Sequence, residues 1–189
     1  MIQIPLYLLL RTETQLVKAA QAGYADAFAD LVHHYRDRLL RFLLTRCASY
    51  ADAEDALQDT LINAYRYIRS YDPRWRFSTW LYRIAIRNAA KLRTPDVLEI
   101  HELGDVENDP LLQCIADSES ENLWNSARHL LNDEVFAAMW LRYAEDMSVN
   151  DISKALDRSA SWTKVNLMRG RRALDAELNG TNRKSEAYG

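Results

Sequence analysis

Apolar side chains recur every three or four positions through most of this chain, the spacing that lays them along one face of an α-helix. From Tyr24 to Leu44 they are Phe28, Leu31, Val32, Tyr35, Leu39, Phe42 and Leu43, which predicts one amphipathic helix. A second begins near Ser49, whose spacing to Asp52 suits a capping box. Its stripe runs through Ala56, Leu57, Thr60, Leu61, Ala64, Tyr65 and Ile68. Off that stripe lie Asp52, Asp55, Gln58, Asp59, Asn63 and Arg66, which on their own read as a solvated face. Asp72-Pro73 ends the helix, because proline drives the preceding residue out of the α region. Ser78 or Thr79 then caps a third helix. On it Leu81, Ile84, Ala85 and Leu92 point one way, while Arg83, Arg87 and Lys91 form a positive stripe. Trp80 reads as core, and the loop 72–79 presents Trp75, Arg76 and Phe77.

The periodicity returns over residues 120–178. Leu123, Trp124, Ala127, Leu130 and Leu131 lead into a helix spaced by Val135, Phe136, Met139, Trp140 and Tyr143. Ser148 and Asp151 again have capping-box spacing and open a short helix that buries Ile152, Ala155 and Leu156. Four residues, DRSA, follow before SWTKVNLMRGRRALDAEL, with Val165, Leu167, Met168 and Leu174 inside. A short helix, a tight turn and a longer basic helix make a helix-turn-helix pattern. The second helix of that motif enters the major groove with its N-terminal residues foremost, here Ser161, Trp162, Thr163, Lys164 and Asn166. The turn has no glycine, so Asp157 is expected to accept the left-handed conformation, which Asp tolerates.

Composition agrees with helices: 189 residues hold five glycines and four prolines, and 48% are hydrophobic. The expected fold class is all-α, two small helical domains joined by an acidic flexible linker. The boundaries read as an N-terminal segment 1–23 of unassigned role, a first domain 24–94, a linker 95–119, a second domain 120–178 and a tail 179–189. Net charge is −3, but its distribution says more. Residues 32–93 hold 12 basic and 6 acidic side chains, and residues 94–137 hold 1 and 11. The acidic middle hides two basic modules, so a pI of 5.8 is a poor guide to partners.

The basic modules differ in character. Residues 71–93 interleave Tyr71, Trp75, Phe77, Trp80 and Tyr82 with Arg74, Arg76, Arg83, Arg87, Lys91 and Arg93. Rings stack on exposed bases while cations neutralise phosphates, and a duplex hides its base faces, so this stretch suits single-stranded or opened nucleic acid. Residues 161–174 carry Lys164, Arg169, Arg171 and Arg172 with no carboxylate, which suits duplex DNA.

Together these pieces resemble an extracytoplasmic-function (ECF) sigma factor of the bacterial sigma-70 family. DAFADLVHHYRDRLLRFL, DAEDALQDTLINAYRYI and RFSTWLYRIAIRNAAKLR resemble three successive stretches of sigma domain 2. The stretch from LLNDEVF to GRRAL resembles sigma domain 4. The resemblance implies that Asp52, Asp55, Gln58, Asp59, Asn63 and Arg66 grip the clamp of core RNA polymerase, reversing the solvated reading of that face. It implies −10 capture by Arg74, Trp75, Arg76, Phe77, Ser78, Thr79, Arg83, Arg87, Asn88 and Lys91. It implies −35 reading by Ser161, Trp162, Thr163, Lys164, Asn166, Arg169, Arg171 and Arg172. The implied partners are core RNA polymerase through its beta-prime clamp and beta flap, promoter DNA, and an anti-sigma factor, often membrane-anchored. The chain departs from the family at Trp162-Thr163, where a Thr-Val pair is usual, at Asn166, where Arg is common, and at Asp59, where Glu is frequent.

Other functions find less support. Cys47 and Cys114 lack a neighbour at metal-ligand spacing, His33-His34 reads as a surface pair, and no nucleophile–base arrangement is visible. No cofactor, metal or catalysis is expected, and a reducing cytoplasm is the natural home. MIQIPLYLLLR is too short to span a bilayer. The competing readings are a stand-alone helix-turn-helix regulator of duplex operators and a helical interaction protein that occupies polymerase without starting transcription.

Overall fold

A computed structural model describes residues 12–92 and 119–186, and among them every regular element is helical. The linker expected at 95–119 falls outside these residues except for Glu119, as do residues 1–11. The chain divides into two compact units, Met1–Ile100 and His101–Gly189.

The first unit opens with α1 (Glu13–Gln21), an element the periodicity did not predict. Its signal is local: Thr12 and Gln15 make a complete capping box, each side chain bonding the other's backbone N–H. At the far end Tyr24 N–H bonds Ala19 O and Gly23 N–H bonds Ala20 O, a Schellman closure that needs a left-handed residue. Gly23 supplies it at φ 98°. The chain turns directly into α2 (Ala25–Leu44), which buries Phe28, Leu31, Tyr35, Leu39, Phe42 and Leu43 along the expected stripe. Ser49 caps α3 (Tyr50–Tyr67) by accepting from Asp52 N–H, as its spacing predicts. A 3₁₀ turn, Ile68–Ser70, follows.

The third predicted helix is α4 (Phe77–Leu92). It starts at Phe77, ahead of the expected cap, so Ser78 and Thr79 lie inside it and are buried. The core of this unit sits where α2, α3 and α4 meet. Ala53, Ala56 and Ala64 of α3 are fully buried, and these short side chains let the helix lie close to its neighbours. Leu39, Leu43 and Leu81 are buried in the same unit, with Phe42 and Tyr82 in edge contact at 5.2 Å. Each such large side chain contributes about 1.5–3 kcal/mol by leaving water. Tyr65 and Leu92, though on the predicted apolar stripes, are exposed.

The second unit contains α5 (Glu119–Leu130), α6 (Asp133–Tyr143), α7 (Val149–Ala155) and α8 (Ala160–Glu186). Asn132 caps α6 through Val135 N–H, and Ser148 caps α7 through Asp151 N–H at 3.1 Å. Trp124, Phe136 and Trp140 cluster beside a core of Leu141, Met147 and Ile152. Asp157 does take the left-handed conformation, at φ 57°, in the turn before α8. Ser159 Oγ accepts from Trp162 N–H and so closes the start of α8. Gly170 is where α8 runs tight against α6, since a Cβ there would lie 3.0 Å from Met139 Sδ. The helix continues to Glu186, past the boundary expected at 178.

Candidate nucleic-acid interface

In the first unit the loop between Tyr71 and Arg76 is built around its own hydrogen bonds. Asp72 Oδ1 accepts from Arg74 N–H at 3.0 Å, and Asp72 Oδ2 accepts from Arg74 Nε at 2.7 Å. Trp75 N–H bonds Asp72 O at 3.1 Å, and the Tyr71 hydroxyl donates to Trp75 O. The bond from Arg74 holds the Asp72 carboxyl below the usual carboxylate range, and the same bond pushes the Arg74 guanidinium up. The positive charge that the sequence places at Arg74 is therefore answered inside the loop.

The two loop aromatics part company. Trp75 is 41% exposed, whereas Phe77 is 2% exposed and forms a ring cluster with Tyr35, Tyr71 and Trp80 at 5.5–5.6 Å. The expected presentation of Phe77 is corrected: it opens α4 on the side that faces the core, where the rings of Tyr35, Tyr71 and Trp80 enclose it. Burial, followed by the charges of Glu13 and Asp72, pushes the Tyr71 phenol up to about 12. Burial and a hydrogen bond to Glu13 push the Tyr35 phenol up as well. Both stay neutral at physiological pH. Between the loop and α1 runs an open groove of about 280 Å³, with Glu13, Thr14 and Lys18 on one wall and Arg74, Trp75 and Arg76 on the other.

Along α4 the expected cationic stripe is present in part. Arg87 and Lys91 are exposed and Arg83 is half-buried. Asn88, expected to touch DNA, is only 3% exposed. Its Nδ2 donates to Thr60 Oγ1 at 3.3 Å, and its Oδ1 accepts from Asn63 Nδ2 at 3.4 Å and from Lys91 Nζ at 3.1 Å. Asn88 thus links α3 to α4 and holds a cation at the surface. Ser78 and Thr79 are likewise too buried to meet a ligand in this structure.

On α3 Asp55, Gln58, Asp59 and Arg66 are exposed, while Asp52 and Asn63 are half-buried. The face also exposes Ile62, Tyr65 and Tyr67, which sequence reasoning did not assign to it. Ile62 carried the signal, being the one large aliphatic residue off the α3 stripe.

In the second unit Ser161, Lys164, Arg169, Arg171 and Arg172 are exposed along α8. Thr163 is fully buried and donates to Ser159 O at 3.1 Å, so it anchors the helix start instead of reaching outward. Asn166 is half-buried and donates to Trp162 O at 2.9 Å. Arg158 pairs with Glu134 of α6 and lies over the half-buried Trp162 ring at 5.6 Å. That chain of contacts joins the turn before α8 to α6 at the surface. Val165 and Met168, expected inside, are 40% and 43% exposed among the cations. Helical register alone explains this, since they share a face with Ser161 and Arg172 at three- and four-residue steps.

The family model Sigma-70 region 2 matches residues 31–93, the stretch holding α3, the loop and α4. The ECF RNA polymerase sigma factor SigW of Bacillus subtilis (strain 168) is 30% identical over 176 residues, covering 86% of this chain and 94% of the relative. The ECF RNA polymerase sigma-E factor of Haemophilus influenzae is 32% identical over 183 residues, covering 88% and 95%. Among solved structures, the sigma factor RpoE in complex with the anti-sigma factor NepR from Bartonella quintana shares the fold, with a TM-score of 0.62, 18% identity, and coverage of 80% of this chain and 96% of that one.

Proposed function

This chain belongs to the ECF sigma factors of RNA polymerase, and we propose that it directs core polymerase to a specific set of promoters. One observation carries the reading: the likeness to named sigma factors runs through almost their whole length, taking in both basic modules and the acidic stretch between them.

The geometry supports a division of labour. The exposed carboxylates and Gln58 of α3, with Ile62 and Tyr65 beside them, make a polar rim around apolar contacts and serve as the face that docks on the polymerase clamp. Trp75, Arg76, Arg87 and Lys91 hold a single strand of an opened −10 element. Trp75 offers a ring face worth about 1–3 kcal/mol per stacked base, and the cations offset phosphate charge. Ser161, Lys164, Arg169 and Arg172 of α8, with Val165 and Met168 between them, enter the major groove of the duplex −35 element, where apolar groups meet thymine methyls. Phe77, Ser78, Thr79, Asn88 and Thr163 act behind these surfaces, holding their shape. The chain contributes no bond-making chemistry; polymerase supplies it. An anti-sigma factor that covers the polymerase-facing surfaces would hold the protein inactive. The site of action is the cytoplasm, where polymerase works, and no helix among the described residues is long and apolar enough to cross a membrane.

The test is transcription from purified parts. Core polymerase with this protein initiates at promoters whose shared upstream elements appear when transcripts are mapped after overexpression. Failure to initiate at any of them sinks the reading. Sequence-specific duplex binding by the lone protein as a two-fold dimer would instead support a stand-alone regulator.

A further inference from the structure

The geometry points to Gln21, at the end of α1 and among the residues lining the groove between α1 and the loop, as the positioning residue that sets where the −10 capture loop sits. This inference rests on the reading of the 71–76 loop given under the proposed function.

The loop's internal bonds, Asp72 with Arg74, Trp75 N–H with Asp72 O, and the Tyr71 hydroxyl with Trp75 O, fix its shape. They do not fix its direction. The loop is attached at two ends, at Phe77 where α4 begins and at Tyr71 where the chain leaves the 3₁₀ turn at ψ 129°, with the two rings packed at 5.5 Å, and the Tyr71 end is the one bonded to α1. That point is held from outside. The half-buried Gln21 amide donates to Tyr71 O at 2.9 Å and to Ile68 O at 3.2 Å. Only a primary amide or a cation has the hydrogens to bridge two carbonyls in this way. One side chain therefore ties both ends of the 3₁₀ turn to α1, across 47 and 50 residues of sequence.

The backbone around Gln21 is itself locked. Its helix is closed two residues later by the Schellman bonds at Gly23, and its other end is held by Glu13 on Tyr35 of α2. The amide is thus a strut with one end fixed in α1 and the other on the loop's hinge. α1 also walls the groove beside Trp75 and Arg76, so a shift of the hinge changes the width of that groove. The Gln-x-Gly spacing, Gln21 and Gly23, joins the donor and the turn that aims it.

The experiment uses the full chain with core polymerase and compares wild type with Gln21→Met, which keeps the length and loses the donors, and Gln21→Glu, which turns the donor into an acceptor. Hydrogen exchange on the protein alone reads the loop. The amides of Tyr71, Arg74 and Trp75 should exchange about tenfold faster in both variants, while those of α2 and α4 keep their protection. Opening of a mapped promoter, read by 2-aminopurine in the −10 element at saturating holoenzyme, should fall about tenfold, whereas affinity for core should stay within about twofold. Unchanged exchange at 71–75 overturns the inference. So does faster exchange spread equally over α2 and α4, or a loosened loop that opens promoters as wild type does. If wild-type holoenzyme opens no mapped promoter, the sigma-factor reading falls, and the exchange result still decides whether Gln21 holds the loop.

Discussion

At the scale of single residues, the structure separates rings that look alike in the sequence. Phe77 and Trp75 are two positions apart, yet one lies in a four-ring cluster and the other faces solvent. Phe77→Ala should therefore cost about 3–5 kcal/mol of stability in the first unit, measured by denaturant unfolding. Trp75→Ala should leave stability within about 0.5 kcal/mol and weaken binding to a single-stranded −10 oligonucleotide in the holoenzyme. A large stability loss from Trp75→Ala would place that ring in the core after all. The phenols give a second prediction. Tyr71 and Tyr35 titrate above their reference value of 10.0. Their contribution is whole below that value, and it is withdrawn as pH climbs through the window ending at about 12 for Tyr71, because the unfolded chain gives up its phenolic protons first. An alkaline absorbance titration should lose one late phenol in Tyr71→Phe, and an unchanged late phase would contradict the burial of that hydroxyl.

At the scale of elements, the hydrogen bonds of Asn88 bear on how α3 and α4 act together. Asn88→Ala removes one partner from each of Thr60, Asn63 and Lys91, and leaving buried polar groups unmatched costs about 1–3 kcal/mol. Thermal unfolding of the variant should show that loss, with preference at every −10 position unchanged. A variant of native stability with altered preference at one base would return Asn88 to the DNA surface. In α8 the cations are exposed and face outward with Val165 and Met168. Lys164→Gln and Arg169→Gln should each lower the slope of log affinity against log salt for a duplex −35 element by about 0.9, and Thr163→Val should leave that slope alone.

At the scale of the whole molecule, each unit carries its own core, Leu39, Phe42 and Tyr82 in one and Leu141, Met147 and Ile152 in the other. Fragments 1–94 and 120–189 should each give a helical circular-dichroism spectrum and a cooperative melt, and a fragment that stays unfolded would show that its core is incomplete. Much of this architecture was legible beforehand. Apolar spacing locates α2, α3 and α4, the Ser49 and Ser148 caps are readable from three-residue spacing, and Asp157 stands out in a turn that has no glycine. The signal for α1 was also present at Thr12 and Gln15, but its short stripe of Val17 and Ala20 is weak beside the longer helices. The cationic and α3 faces were legible as composition. What was not legible was depth: Phe77 meets Tyr35 and Asn88 meets Thr60 and Asn63 on helices far away in sequence, and no local pattern reports such neighbours. Gln21 escaped for the same reason, since both of its partners lie more than forty residues away.

The three buried alanines of α3 have one more consequence. A methyl group has no rotamer to flip, so a seam made of Ala53, Ala56 and Ala64 cannot take up pressure by rearranging side chains. Anything that leans on the outer surface of this helix must either leave it where it is or displace it bodily, as a beam moves on its bearings.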